Sequence, residues 1–378
     1  MALDLSPYLD AIEAELQEIV SPPAPVHAPL YDMMRYHLGW ANTDGDPIQG
    51  ARGKRLRPVL CLLACEAVGG IWERAVPAAA AIELVHNFSL IHDDIEDNSP
   101  LRHHRTTIWK LWGLAQGINT GDAMWTLARL AVYRLRDYGY RERTIVQVAQ
   151  QFDETCLALC QGQHLDISFE GRLDVTEKAY GEMIAGKTAA LIAASTRLGA
   201  LLGDADGAMV DALGRFGRHL GLAFQLTDDL LGIWGDPAIT GKSAASDLAT
   251  RKMTLPVIHA LAWERQRGES RLHELYGTQD TDDASLTDDA SLTGDASLTD
   301  DASLTDDASP AAAGALTDDA VLAEILARLD AAGSEDYVRQ QAATHQQAML
   351  ATLNALTLDS PAARELEHLA MGIIERER

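Results

Sequence analysis

The chain has 378 residues, with 31 Lys and Arg against 56 Asp and Glu, and a formal net charge of −25. That balance argues against binding nucleic acid or docking electrostatically on anionic lipid, and it makes any clustered cations informative, because an acidic protein that takes a polyanionic ligand needs them. The hydrophobic fraction of 47% can fill a sizeable core. No apolar run approaches the ~20 residues of a membrane span, and the acidic Met1–Leu9 start lacks the pattern of a secretory signal, so the chain reads as soluble and cytoplasmic.

Taken in order, the elements are helices. Arg57 to Val68 is an apolar run stopped by Gly69-Gly70. Pro77 opens a helix, as proline does at a first turn, and that helix runs into the acidic stretch Asp93-Asp94-Ile95-Glu96-Asp97. Gly121 to Tyr138 reads as a further helix, ended near Gly139. Thr144 to Glu170 and Thr176 to Leu202 are long helices, with Gly171 and Gly203 as stops. Ala208 to Trp234 carries a second acidic stretch, Asp228-Asp229-Leu230-Leu231-Gly232, and Gly235-Asp236-Pro237 breaks it. Arg251 to Trp263 restarts with Pro256 inside or at its edge, and Ala320 to Arg378 holds two or three more helices. Almost nothing alternates like a strand. The expectation is an all-α protein, a large antiparallel helix bundle forming a single domain over 1–378.

One segment stands apart. From Asp282 to Ser309 the hexapeptide Asp-Asp-Ala-Ser-Leu-Thr recurs, with Gly294 replacing one Asp, and residues 280–319 hold twelve Asp and no Lys or Arg. One Leu per six residues buries too little surface to fold alone, so 280–319 reads as a disordered acidic insert. A Ca²⁺-binding repeat is the competing reading, but the glycine spacing of β-roll repeats is missing. The cysteines form two pairs spaced i, i+4, Cys61/Cys65 and Cys156/Cys160, on apolar helical runs. Zinc pairs are usually C-x2-C in turns, so core packing is the better reading.

The two acidic stretches carry the chemistry. Unpaired carboxylates are costly in an apolar helix. Asp93 and Asp97, four apart, share one helix face. A hard divalent cation offsets their repulsion, and Mg²⁺ suits carboxylates that leave room for water and phosphate oxygens. Two such clusters on facing helices make a clamp for a metal-bound diphosphate.

The stretches Gly53-Lys54-Arg55-Leu56-Arg57-Pro58, His86 to Asp97, Gly162-Gln163-His164-Leu165-Asp166, Lys187-Thr188 and Phe224-Gln225-Leu226-Thr227-Asp228-Asp229 occur in that order. Together they resemble the trans-isoprenyl diphosphate synthases, the polyprenyl synthetase family. The likeness runs from Arg52 to Pro256 and resumes weakly at Ile373-Ile374-Glu375-Arg376. It implies the isoprenoid synthase fold (class I terpenoid type), a homodimer, and condensation of isopentenyl diphosphate with an allylic diphosphate. It further implies Mg²⁺, three ions per site, with Asp93, Asp97 and Asp228 as metal ligands and Asp94 and Asp229 in support. Arg102, Lys187 and Lys242 match positions that grip the allylic diphosphate, and Lys252 matches a further basic position. Lys54, Arg57 and His86 match the isopentenyl diphosphate pocket. Thr188 and Gln225 match hydrogen-bonding positions near metal and diphosphate, and Phe224 would face the reacting double bond.

Two departures matter. The second cluster ends in Gly232 rather than Asp. The family's Arg-Arg-Gly after the first cluster is here Arg102-His103-His104-Arg105, so His103 stands where an Arg is expected to bind isopentenyl diphosphate. Either Arg105 or a protonated His103 compensates, or affinity for that substrate is weak. Product length falls to Phe88 and Ser89, five and four residues before Asp93. In the family it resembles, a small residue nearer the metal with one aromatic behind it goes with a C20 product, so the resemblance implies geranylgeranyl diphosphate. Three other readings compete. A terpene cyclase has no use for Lys54, Arg57 and His86. A non-catalytic regulatory subunit would not need Asp93, Asp97 and Asp228. A metal phosphohydrolase built on His92-Asp93 leaves the second cluster unexplained.

Overall fold

The structure is a computed structural model and describes residues 3–48, 53–235, 245–277 and 318–375. It is all-α, and its described residues fall into two compact units. The larger comprises Met1–Ser168, Lys178–Asp228 and Tyr337–Arg378; the smaller comprises Phe169–Glu177 and Asp229–Asp336.

In the larger unit α1 (Ser6–Ile19) and α2 (Ala28–His37) precede α3 (Leu56–Ala67) and α4 (Val76–Glu96). Helix α4 is the central one. Pro77 lies in its first turn, where a missing N–H is harmless. The run Ala78–Ala81 is fully buried, so neighbouring helices pack closely on it. A short antiparallel ribbon, β1 (Leu101–Arg102) with β2 (Arg105–Thr106), follows and is the one two-stranded sheet among the described residues. Its turn residues His103 and His104 both have positive φ, 49° and 63°, as a tight two-residue hairpin turn requires. So short a ribbon leaves no alternating pattern in the sequence.

Helix α5 (Ile108–Trp112) leads into α6 (Leu114–Tyr133). Helix α6 begins seven residues earlier than the sequence suggests, because Gly121 lies inside it rather than at its start. A side chain there would run into the His92 ring on α4. Helix α7 (Glu142–Phe169) matches expectation within two residues. The stretch expected as one helix over 176–202 is three segments. These are α8 (Glu177–Ile184), a π-helical turn at Ala185–Ala189, and α9 (Ala190–Leu202). Helix α10 (Gly207–Trp234) carries the second acidic stretch.

The smaller unit adds α11 (Ser246–Ala249), α12 (Leu255–Arg267), α13 (Arg271–Tyr276) and α14 (Asp319–Ala332). Pro256 sits in the first turn of α12, so the helix starts there rather than at Arg251. Asp318 caps α14, accepting the N–H groups of Ala320 and Val321. The chain ends in α15 (Ser334–Ala355) and α16 (Pro361–Ile374). Cys61, Cys65 and Cys156 are buried and no disulfide forms, but Cys160 is exposed, so core packing accounts for three of the four. Lys242 and the whole hexapeptide repeat, residues 282–309, lie outside the described residues.

Candidate active site

The first cluster terminates α4, where its three aspartates take three different settings. Asp97 is exposed at the C-cap. Asp94 is 2% exposed, and Arg102 Nε donates to its Oδ1 at 2.7 Å. Asp93 lies between them in exposure, and its carboxyl is pushed up to about 6, first by burial; Lys187 opposes that rise and Asp97 adds to it. The hairpin β1–β2 thus serves the site by returning Arg102 against the end of the helix from which the cluster projects.

Lys187 comes from the π turn. Its ammonium pairs with Asp166 on α7, and Gln163, one turn earlier on α7, donates to Glu96 Oε2 at 2.7 Å. The turn sits close on α7 because both contact residues are glycine. A Cβ on Gly162 would lie 2.6 Å from the Gly186 carbonyl carbon and 2.8 Å from Lys187 Cα. π turns insert one residue into a helix and recur at functional sites. Here the insertion sets Lys187 toward Asp166 and Asp93, and leaves Thr188 Oγ1 donating to Gln225 Oε1 at 2.7 Å on α10. Asp228 follows Gln225 by one turn on α10. The structure therefore links the first cluster, the Lys187-Thr188 turn and the helix of the second cluster.

The basic motif divides its work. Arg55, in the left-handed region at φ 48°, turns inward and pairs with Glu13 and Glu83, both at 2.8 Å. Arg57 points the other way, with Nη1 3.2 Å from His86 Nε2. Burial and the Arg57 charge hold His86 well below the usual imidazole range, so its ring is neutral. Lys54 is exposed beside them. His103 is lowered too, by burial and then Arg102 and His104. Arg105 is committed elsewhere. It donates to the carbonyls of Tyr36 and Ala41 at 2.8 and 2.9 Å and lies 4.0 Å over the Tyr36 ring. The compensation expected of Arg105 is therefore absent from this arrangement.

Below the cluster, Phe88 heads an aromatic column, 5.4 Å from Trp125 on α6, which stacks on Phe152 of α7 at 5.8 Å. Ser89 Oγ donates to the His86 carbonyl at 2.8 Å. Phe224 is half-buried on α10. In the smaller unit, Leu255 N–H donates to Asp229 Oδ2 at 3.3 Å, and the Lys252 carbonyl accepts from Tyr276 OH at 2.6 Å. Sequence reasoning missed Asp166, Glu96, Trp125 and Phe152 as members of this region. Asp166 and Glu96 lie inside the ordered motifs, whereas nothing local marks Trp125 and Phe152.

The donor set can be tested against a divalent cation. Among the described residues no three His, Cys, Asp or Glu side chains converge to hold an ion by themselves. Asp93 and Asp97 provide two carboxylates on one face, and burial first, with Asp97 adding to it, disfavours the charged form of Asp93. That suits Mg²⁺, which keeps several waters and shares its shell with substrate phosphates.

A family model described as polyprenyl synthetase matches residues 40–291. A geranylgeranyl diphosphate synthase of Mycobacterium tuberculosis is 46% identical over 248 residues, 66% of this chain and 69% of that one. A (2E,6E)-farnesyl diphosphate synthase of Mycobacterium bovis is 46% identical over 232 residues, 61% of this chain and 63% of that one. The chain thus aligns with about two thirds of the length of these curated relatives. Among solved structures, a polyprenyl synthetase from Streptomyces coelicolor A3(2) superposes with a TM-score of 0.79 at 33% identity, covering 97% of both chains. The all-α fold is that of the isoprenoid synthases, and the chain belongs to the polyprenyl synthetase family of trans-prenyltransferases.

Proposed function

We propose that this protein condenses isopentenyl diphosphate with an allylic diphosphate to give a longer trans-prenyl diphosphate, with Mg²⁺ as its metal. The observation that carries the reading is the convergence of Asp93, Asp97, Lys187 and Arg102 at one end of α4. In this reading Asp93, Asp97 and Asp228 hold metal, three ions per site. When bound, the metal acts as a Lewis acid on the departing diphosphate. Arg102, aimed by Asp94, and Lys187, aimed by Asp166, bind the allylic diphosphate. Arg suits it through its fork of donors and Lys through a point charge. Lys242 and Lys252 are further basic positions for it.

Arg57, Lys54 and neutral His86 take the isopentenyl diphosphate, with His103 at the rim. A cyclase would have no use for the Arg57–His86 pair. Thr188 and Gln225 fix the π turn to α10, and Phe224 flanks the reacting carbons. The column Phe88–Trp125–Phe152 forms the floor under the growing chain, and the small Ser89 leaves the space above Phe88 open, which favours the C20 product geranylgeranyl diphosphate. Both compact units belong to one catalytic domain, with 280–319 as an insert.

The partner is a second copy of the chain. Exposed Leu114, Ile118, Leu130 and Tyr133 on α6 and Val146 and Leu157 on α7 support that reading. No helix among the described residues is long and apolar enough to cross a membrane. Four cysteines without a disulfide fit the cytoplasm. The test is incubation with isopentenyl diphosphate, each allylic primer and Mg²⁺, followed by product sizing. Mg²⁺-dependent chain extension, ending mainly at C20, is expected. Release of pyrophosphate without consumption of isopentenyl diphosphate would overturn the condensation.

A further inference from the structure

The two acidic clusters can be compared position by position. In the first, Asp93 leads, Asp94 is buried and paired, and Asp97 follows one turn after Asp93. In the second, Asp228 leads and Asp229 is likewise 2% exposed, with its carboxylate accepting the Leu255 N–H. The residue one turn after Asp228 is Gly232, which has no side chain. Yet the space that a side chain would fill there is occupied. A Cβ built on Gly232 would lie 2.5 Å from Asp247 Cγ and 3.0 Å from its Oδ1. The Asp247 carboxylate, one oxygen foremost, thus fills the space into which a side chain at position 232 would extend. The half-buried Asp247 belongs to α11, which is docked on this part of α10. Ser246 Oγ points at the Gly232 carbonyl, 3.5 Å away, and Asp247 O accepts the Lys252 N–H at 2.9 Å.

We propose that Asp247 supplies, from α11, the carboxylate that Gly232 withholds, and so completes the second acidic cluster as a positioning residue for the metal-bound diphosphate. The inference rests on the proposed function. It explains why the fifth position of this cluster is glycine: any larger residue would displace Asp247. Supplying the acid from α11 rather than α10 makes the complete cluster depend on the docking of α11, whereas the first cluster is complete within α4.

The experiment measures binding of inorganic pyrophosphate in the presence of Mg²⁺ by calorimetry, alongside condensation activity and thermal melts. The proteins are wild type, Asp247→Asn, Asp247→Gly, and the exchange Gly232→Asp with Asp247→Gly. Loss of the Asp247 carboxylate is expected to weaken binding about 10- to 100-fold, the range found when a group supporting a metal site is removed. The exchange, which moves the carboxylate onto α10, should recover most of that loss. A merely structural role for Asp247 predicts lowered melting temperatures without this rescue. Wild-type affinity in a folded Asp247→Asn protein, or a folded exchange variant as weak as Asp247→Gly, overturns the inference while wild-type condensation activity leaves the proposed function standing. Wild-type protein that binds no pyrophosphate with Mg²⁺ overturns both.

Discussion

Asp93 shows how a single residue can oppose stability while serving the site. Its folded carboxyl titrates near 6, above an unfolded aspartate. The native state therefore binds more protons than the unfolded chain between those values. The stability associated with protonated Asp93 is full below the unfolded pKa and is lost as pH rises through 6. Asp93→Asn removes that dependence. In metal-free protein at pH 7.5 the variant should be more stable, by up to ~3 kcal/mol, as read by urea melts in EDTA. Turnover should fall by about 10²–10³. An Asn variant no more stable than wild type would show that the carboxylate is not desolvated as described. Arg55 and Arg57 make a second contrast. Arg55→Ala strands the buried Glu13 and Glu83 and should destabilise the fold by about 3–5 kcal/mol. Arg57→Ala should leave the melt nearly unchanged and raise the KM for isopentenyl diphosphate. Equal losses of stability in the two would contradict the division.

At the scale of elements, the π turn is what brings Lys187 to its partner. Gly162→Ala would push Ala185–Ala189 away from α7, because the added methyl meets backbone rather than a flexible side chain. A loss of about 1–3 kcal/mol, with a raised KM for the allylic substrate, is expected; unchanged melting and kinetics would show that the close packing is not needed. The sequence told more about helices than about their junctions. Helical periodicity located α3, α4, α7 and α10 within a few residues, and the acidic clusters were visible as motifs. The π turn was not, since one extra backbone residue leaves the apolar pattern around Lys187-Thr188 intact. Nor could periodicity show that neighbouring Arg55 and Arg57 face opposite ways, because that follows from the positive φ of Arg55 just before α3. Glycine inside α6 misled in the other direction: it marks where α4 comes close, not where the helix begins. The aromatic column is another product of helix pairing. Ser89→Phe should shorten the product to C15. Phe88→Ala should lengthen it only until Trp125 stops the chain, so adding Trp125→Ala should lengthen it further. Identical product distributions in all three variants would place the floor elsewhere.

At the scale of the whole molecule, the described residues include an apolar surface on α6 and α7 that the site does not explain. On α7, Val146 and Leu157 are 64% and 60% exposed and eleven residues apart, which brings them to one helix face. On α6, Leu114, Ile118, Leu130 and Tyr133 are each 45–55% exposed. Both helices lie within the larger unit, and between them they present more apolar side chains than scattered surface exposure produces. Helix α4, which bears the first acidic cluster, packs against the opposite side of α6. In the proposed dimer a second copy would cover this face by two-fold symmetry, each subunit's α6 and α7 burying the other's. Such a contact would also hold α6 and α7 against α4, so the carboxylates at the end of α4 would inherit rigidity from the interface. Ile118→Asp with Leu157→Asp places charges on both helices of the face without touching the site. Light scattering should report a dimer for wild type and a monomer for the double variant. The monomer should melt at lower temperature and turn over more slowly, with its Mg²⁺ requirement retained. A double variant that remains dimeric, or a wild type that is monomeric at micromolar concentration, would mean that something else covers this face.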